Sequence, residues 1–299
     1  KSVIRSVSSH YIPDWLQEYL KDVGRPNLNP FIKDQFQDVQ YFYCTDYHQD
    51  KTRPKSNFVT FYVYLDNVNR EYSALRILEG SFGCLDKIIR DQGLELVDGI
   101  VLDLGLSSPQ ISNSERGFSF QLDGPLDMRI DNSQGISAEE WINTATKKEI
   151  EDVFWILGED RFSRRIAKKI CDIRVKNPIR TTKELSEIVL SAVSRKSKKH
   201  PATNIFRAIR MKINEELEEL YKVLEASSYA LCFGGRLAVI SFHSMEDRIV
   251  KRFIQGKDRI DTSIKFSYIG ERFIKATSEE IKRNPRSRSA ILRVAEKVA

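Results

Sequence analysis

Hydrophobic and polar positions along the chain fall into two textures. Three short apolar runs, residues 58–65 (FVTFYVYL), 97–102 (VDGIVL) and 235–242 (GRLAVISF), are too short for isolated helices and rich in β-branched or aromatic residues. They predict buried parallel strands. Each closes on a polar residue, Asp66, Asp103 and His243 respectively. In open α/β sheets the ligand crevice lies outside the carboxyl ends of the strands, so position alone makes these three site candidates. The alternative, that such a residue only caps a helix or opens a turn, stays open for each. Between the second and third runs, residues 138–155, 162–174, 182–193 and 202–225 repeat apolar positions at three- and four-residue spacing and predict helices. Thr182 followed by Glu184 and Leu185, and Asn204 before Ile205, are the start signals. The expected organisation is a sheet domain interrupted by a helical subdomain, with boundaries 1–112, 113–215 and 216–299.

With 41% apolar and 30% charged residues, the 299-residue chain is an ordinary globular one, which excludes fibrous and globally disordered classes. Cys44, Cys84, Cys171 and Cys232 have no paired spacing, so neither a disulfide framework nor a metal knuckle is expected. No run approaches the length of a membrane span, and the first ten residues lack the apolar core of a secretion signal. The expected compartment is reducing and aqueous: cytoplasmic, or organellar if the source is eukaryotic.

Charge changes the picture more. Residues 161–212 carry sixteen basic side chains against three acidic ones, a surplus of thirteen in a chain whose net charge is +6. Such polarisation is the electrostatic footprint of a polyanion contact. Lys168, Lys169, Lys198 and Lys199 are the candidate phosphate contacts in this segment. A solvated helix face is the alternative, but it would normally be laced with opposing carboxylates that are scarce here.

Candidate chemistry concentrates in residues 97–131. A strand ends at Asp103, Gly105 permits a tight turn, and Ser107-Ser108-Pro109-Gln110 then offers two hydroxyls, a fixed φ and an amide in succession. The later stretch Asp123-Gly124-Pro125-Leu126-Asp127-Met128-Arg129 brings two carboxylates near a guanidinium, and composition alone favours a salt-bridged turn there. A hydrolase reading of Ser241 and His243 fails for lack of a nucleophile elbow, and a nicotinamide enzyme lacks its glycine fingerprint.

These same blocks, DGIVLDLGLSSPQ, ERGFSF and DGPLDMRID, resemble the signatures of the ribosomal small-subunit RNA (cytosine-N4)-methyltransferase family, the bacterial MraW or RsmH type. Residues 202–220, 234–253 and 284–296 agree in order, and residues 10–20 look like the family's opening. The resemblance implies an α/β, class I (Rossmann-like) methyltransferase with an inserted helical subdomain. It implies S-adenosyl-L-methionine as donor, a cytidine of the 16S-type decoding region as acceptor, and small-subunit rRNA or the assembled subunit as partner, with no membrane and no metal; a homodimer stays open.

Carried over by position, Asp66 would hold the adenosine ribose, Phe82 would pack against the adenine, and Asp103 and Gln110 would contact the cofactor. Asp103, Ser107, Ser108 and Pro109 would supply acceptors for the cytosine amine. Phe118 or Phe120 would stack on an unstacked base or simply fill the core. His243, Arg286 and Arg288 are the remaining RNA candidates. One departure stands out: the family's glycine-rich cofactor loop has no counterpart in residues 21–57, which contain only Gly24. Besides active transferase, that keeps a second expectation, a non-catalytic rRNA-binding or assembly protein that has lost the cofactor loop.

Overall fold

A computed structural model describes residues 2–7, 59–64, 76–79, 81–193, 200–258, 260 and 263–298. Its sheet contains β1 (Ser2–Val7), β2 (Val59–Tyr64), β3 (Arg76–Glu79), β4 (Val97–Asp103), β5 (Leu231–Ser241), β6 (Phe266–Tyr268), β7 (Ile274–Lys275) and β8 (Ile291–Lys297). The strand order is β3-β2-β1-β4-β5-β8-β6, with β7 also on β8. β4 lies parallel to β1 and to β5, where Ile100 faces Leu237 and Leu102 faces Val239. Two of the three apolar runs therefore form the expected parallel pair. The third does not, because β2 runs antiparallel to both β1 and β3. A continuous apolar run signals burial, whereas strand direction is set by the connections, which the pattern does not carry. β8, antiparallel to β5, was not anticipated.

Two apolar cores form. In the first, Ile100, Leu102, Leu237 and Val239 of the sheet pack against α1 (Leu85–Asp91), α8 (Glu216–Ala230) and α9 (Ser244–Ile254). The second belongs to α3 (Ala138–Thr144), α4 (Lys147–Ile156), α5 (Ser163–Arg174), α6 (Thr182–Ala192) and α7 (Ala202–Ile213). Its centre includes Phe154, Ile166, Ile170, Leu185 and Ile209, all shielded from water. Two shorter helices, α2 (Ser108–Ser112) and α10 (Ser278–Arg283), complete the set among the described residues.

Caps explain where the helical pattern breaks. The expected helix over 138–155 is two helices, because Thr146 and Glu149 form a reciprocal cap that restarts the chain at Lys147. α6 is opened by Thr181 with Glu184, one residue before the expected signal. The expected helix over 202–225 is also divided. Asn214 ends α7 and Glu215 adopts a left-handed φ of 49°, after which Glu216, Glu218 and Glu219 line the first turn of α8. Carboxylates there are favoured by the positive end of the helix dipole.

Candidate functional site

Asp103 is the last residue of β4, 3% exposed, in register with Ile240 of β5. The chain leaves the sheet through Leu104, whose amide donates to Ile240 O at 3.1 Å. It then turns at Gly105, φ 91°, where an added Cβ would lie 3.5 Å from the Phe242 ring. Ser107 caps α2. Its amide and hydroxyl donate to Gln110 Oε1 at 2.9 and 3.0 Å, and Gln110 N donates back to Ser107 Oγ at 3.4 Å. Gln110, expected as a cofactor contact, thus commits its side-chain oxygen to shaping the loop. The Ser107 hydroxyl proton is committed too, so the oxygen keeps one lone pair and can only accept further. Ser108 and Pro109 form the first turn of this short helix.

Phe82 lies in a single 3-10 turn, Phe82–Cys84, and packs half-buried against the first core. The Ser81 hydroxyl donates to Glu219, whose carboxylate lies over Gly83, so a side chain there would have to displace it. Asp66 lies outside the described residues, as do Lys198 and Lys199 and the whole 21–57 interval.

The expected salt-bridged turn is present: Arg129 Nε and Nη2 reach Asp127 at 2.6 and 3.1 Å. The guanidinium pKa is raised, the hydrogen bond to Asp127 outweighing partial burial. This stretch is threaded into the helical unit, with Leu126 and Met128 buried in the second core and Leu126 N donating to Arg180 O. Phe118 and Phe120 also pack on that core, Phe120 stacking on His200 with centroids 4.6 Å apart. That favours the packing reading for both rings.

His243, expected to face RNA, has a side chain only 7% exposed and caps α9. Its Nδ1 accepts from Glu246 N at 3.4 Å, while Glu246 Oε2 accepts from the amides of Phe242 and His243 at 2.8 and 3.2 Å. Burial alone would raise the Glu246 carboxyl, but His243, the Phe242 amide and Arg210 outweigh it and hold it below its usual value.

Sequence reasoning missed the junction between α7 and α8. There Arg210 grips Glu216 with two bonds of 2.6 and 2.7 Å, both side chains largely shielded. Asn214 Oδ1 accepts from Ile130 N at 2.6 Å and its Nδ2 donates to Met128 O at 2.8 Å. Together with Glu219 on Ser81, four residues of one junction touch the turn before α1, the 128–130 stretch and, through Glu216, the neighbourhood of His243 and Glu246. The signal available was the acidic run after Asn214, which marks a helix start inside a seemingly continuous pattern. Glu216, His243 and Glu246 bring ligand-type atoms within 4.8 Å of one another. Arg210 already occupies Glu216, and two backbone amides occupy Glu246 Oε2, so the protein itself satisfies most of that donor set.

Lys168 and Lys169 are exposed on α5 beside Arg164 and Arg165, and Arg286 and Arg288 are exposed in the turn Pro285–Ser289. The basic surplus is smaller at the surface than in the sequence. Arg174 donates to the carbonyls of Ile142 and Ala145 at the end of α3, Arg207 donates to Gly158 O, and Arg210 is held by Glu216. Among the described residues no helix is long and apolar enough to cross a membrane.

The model of a family described as "MraW methylase family" matches residues 62–298. Ribosomal RNA small subunit methyltransferase H of Coxiella burnetii is 48% identical over 242 residues, covering 77% of this chain and 78% of that protein. The protein of the same name from Legionella pneumophila is 49% identical over 237 residues, covering 75% and 77%. That of Marinomonas sp. is 48% identical over 246 residues, 78% of each.

Proposed function

The chain belongs to the MraW methylase family, and on that premise we propose that it transfers a methyl group from S-adenosyl-L-methionine to the N4 amine of a cytidine in small-subunit ribosomal RNA. The observation that carries this reading is the buried Asp103 carboxylate where parallel β4 and β5 end, followed at once by the Gly105 turn and the capped 107–110 loop. These residues suit a donor of this kind: an acceptor held out of water at a strand end, and a backbone bare of side chain beside it. Phe82, half-buried next to the first core, would meet the flat adenine, and Asp66 the ribose.

The bound donor supplies a methyl group on a positively charged sulfur that leaves as a neutral thioether. The protein's part is positioning. An exocyclic cytosine amine is a weak nucleophile, because its lone pair is delocalised into the ring. An acceptor for its N–H favours the pyramidal, reactive form, and as the N–C bond forms and the S–C bond breaks the cationic amine releases its surplus proton to solvent. Ser107 Oγ suits this role, since its hydroxyl already donates to Gln110 Oε1 and can only accept further. Holding amine and methyl in line contributes about 7–11 kcal/mol when alignment is good. The exposed lysines of α5 bind RNA phosphate, with Arg286 and Arg288 as a second contact.

Relatives named as methyltransferases, matching over three quarters of the chain, support an enzyme over a non-catalytic assembly protein. Calorimetry separates the two: saturable binding of S-adenosyl-L-methionine is expected, and no heat or thermal shift at millimolar donor would favour the assembly protein. Reversing Lys168 and Lys169 to glutamate should weaken RNA binding, flattening the plot of log affinity against log salt by about 0.7–0.9 per lost phosphate contact. Donor affinity should not change. A salt slope equal to that of the unaltered protein would remove α5 from the RNA face.

A further inference from the structure

We propose that His243 and Glu246 are positioning residues of the transferase centre, joining the helical unit to the 104–110 loop through one buried charge cluster. The inference rests on the methyl-transfer reading above.

The connection can be followed contact by contact. Arg210, at the end of α7, and Glu216, at the start of α8, form a shielded pair. Glu216 stands with His243 and Glu246 in a cluster whose carboxylate and imidazole atoms lie within 4.8 Å of one another. Glu246 fixes the end of β5 by accepting from the Phe242 and His243 amides. The Phe242 ring in turn neighbours Gly105, where an added Cβ would meet it at an ordinary contact distance of 3.5 Å. Gly105 opens the loop that carries Ser107. A shift of the α7–α8 junction can therefore be passed to the 104–110 loop through neighbouring groups.

Two features set His243 apart from an ordinary helix cap. Asn or Ser at this position would satisfy the same amide with a smaller side chain. The imidazole instead leaves Nε2 buried and without a hydrogen-bond partner, 3.2 Å from Glu246 Oε1 but poorly aligned with it. Because Nδ1 accepts, Nε2 carries the proton, and a small rotation would complete the bond to Glu246. A buried donor left open beside a carboxylate is a contact poised to close.

The test uses the full chain with small-subunit RNA and three variants: His243→Asn, which keeps the cap but removes Nε2; Glu246→Gln, which keeps an acceptor but removes the charge; and Phe242→Leu, which trims the ring and touches no charge. In each, kcat should fall about tenfold to a hundredfold, the cost of a misplacement near 1 Å. RNA and S-adenosyl-L-methionine dissociation constants should stay within about twofold, since neither ligand contact is removed. Amide hydrogen exchange should quicken selectively in residues 104–112, a readout that needs no activity.

A parallel fall of kcat and RNA affinity with unaltered exchange in that loop would overturn the proposal. So would one equivalent of tightly held metal ion that the His243 and Glu246 variants lose, which would make the cluster a metal site. If the unaltered protein transfers no methyl group, the functional reading fails, and the exchange pattern alone decides the linkage. If His243→Asn or Glu246→Gln does not fold, Phe242→Leu carries the decision.

Discussion

Asp103→Ala is expected to cost about 1.5–3 kcal/mol of donor affinity, the worth of a hydrogen bond to a charged group, or roughly ten- to a hundredfold in dissociation constant. Methyl transfer should fall at least as far. The side chain is 3% exposed at the end of a strand flanked by parallel neighbours. Asp103→Asn, which preserves shape and one acceptor oxygen, should lose less than alanine. RNA affinity should stay unchanged in both variants. Calorimetry with S-adenosyl-L-methionine and filter binding with RNA read the two arms. Equal loss in both would mean that Asp103 holds up the fold instead of the donor, and a thermal melt would show it.

The largest stability effect is expected at the α7–α8 junction. Burial works against the Arg210 charge, yet Glu216 outweighs it and the guanidinium pKa lies above its ordinary value. Glu216→Ala strands that charge in a shielded site, a change that typically costs about 3–5 kcal/mol. Replacing both partners with apolar residues of similar size, Arg210→Met with Glu216→Leu, should cost less than the single change, because no charge is left uncompensated. Urea unfolding of the Glu216→Ala variant and of the double variant measures this directly. If Glu216→Ala stays within about 1 kcal/mol of the unaltered protein, in the range of an exposed ion pair, the junction is not the hub described above.

How much of this was legible in the sequence depends on what kind of signal each feature leaves. The parallel pair of β4 and β5 was legible because residues 99–102 and 237–240 run without a polar residue, as strands covered on both faces do. The direction of β2 was not, since residues 58–65 look the same whichever way they run. Helices 163–174 and 182–192 followed from spacing, but the break at 145–146 depends on a capping box and that at 214–215 on a left-handed Glu215, which periodicity overlooks. The strand-end position of Asp103 was legible; the engagement of Gln110 with Ser107 required knowing that a helix begins there. The basic surplus is plain in the sequence, but a count cannot separate Lys168 on the surface from Arg174 and Arg210, which bind carbonyls and a carboxylate inside. His243 misled for a related reason: a strand-end histidine reads as a ligand, and only packing shows that it is enclosed. The family match begins at residue 62, after the interval in which no glycine-rich loop was found.

The most direct test of the account is nucleoside analysis by mass spectrometry of small-subunit RNA incubated with the full chain and methyl-labelled S-adenosyl-L-methionine. Labelled N4-methylcytidine is expected, formed by the unaltered protein and reduced at least about tenfold with Asp103→Ala. Label on another nucleoside, or none with RNA demonstrably bound, would contradict it.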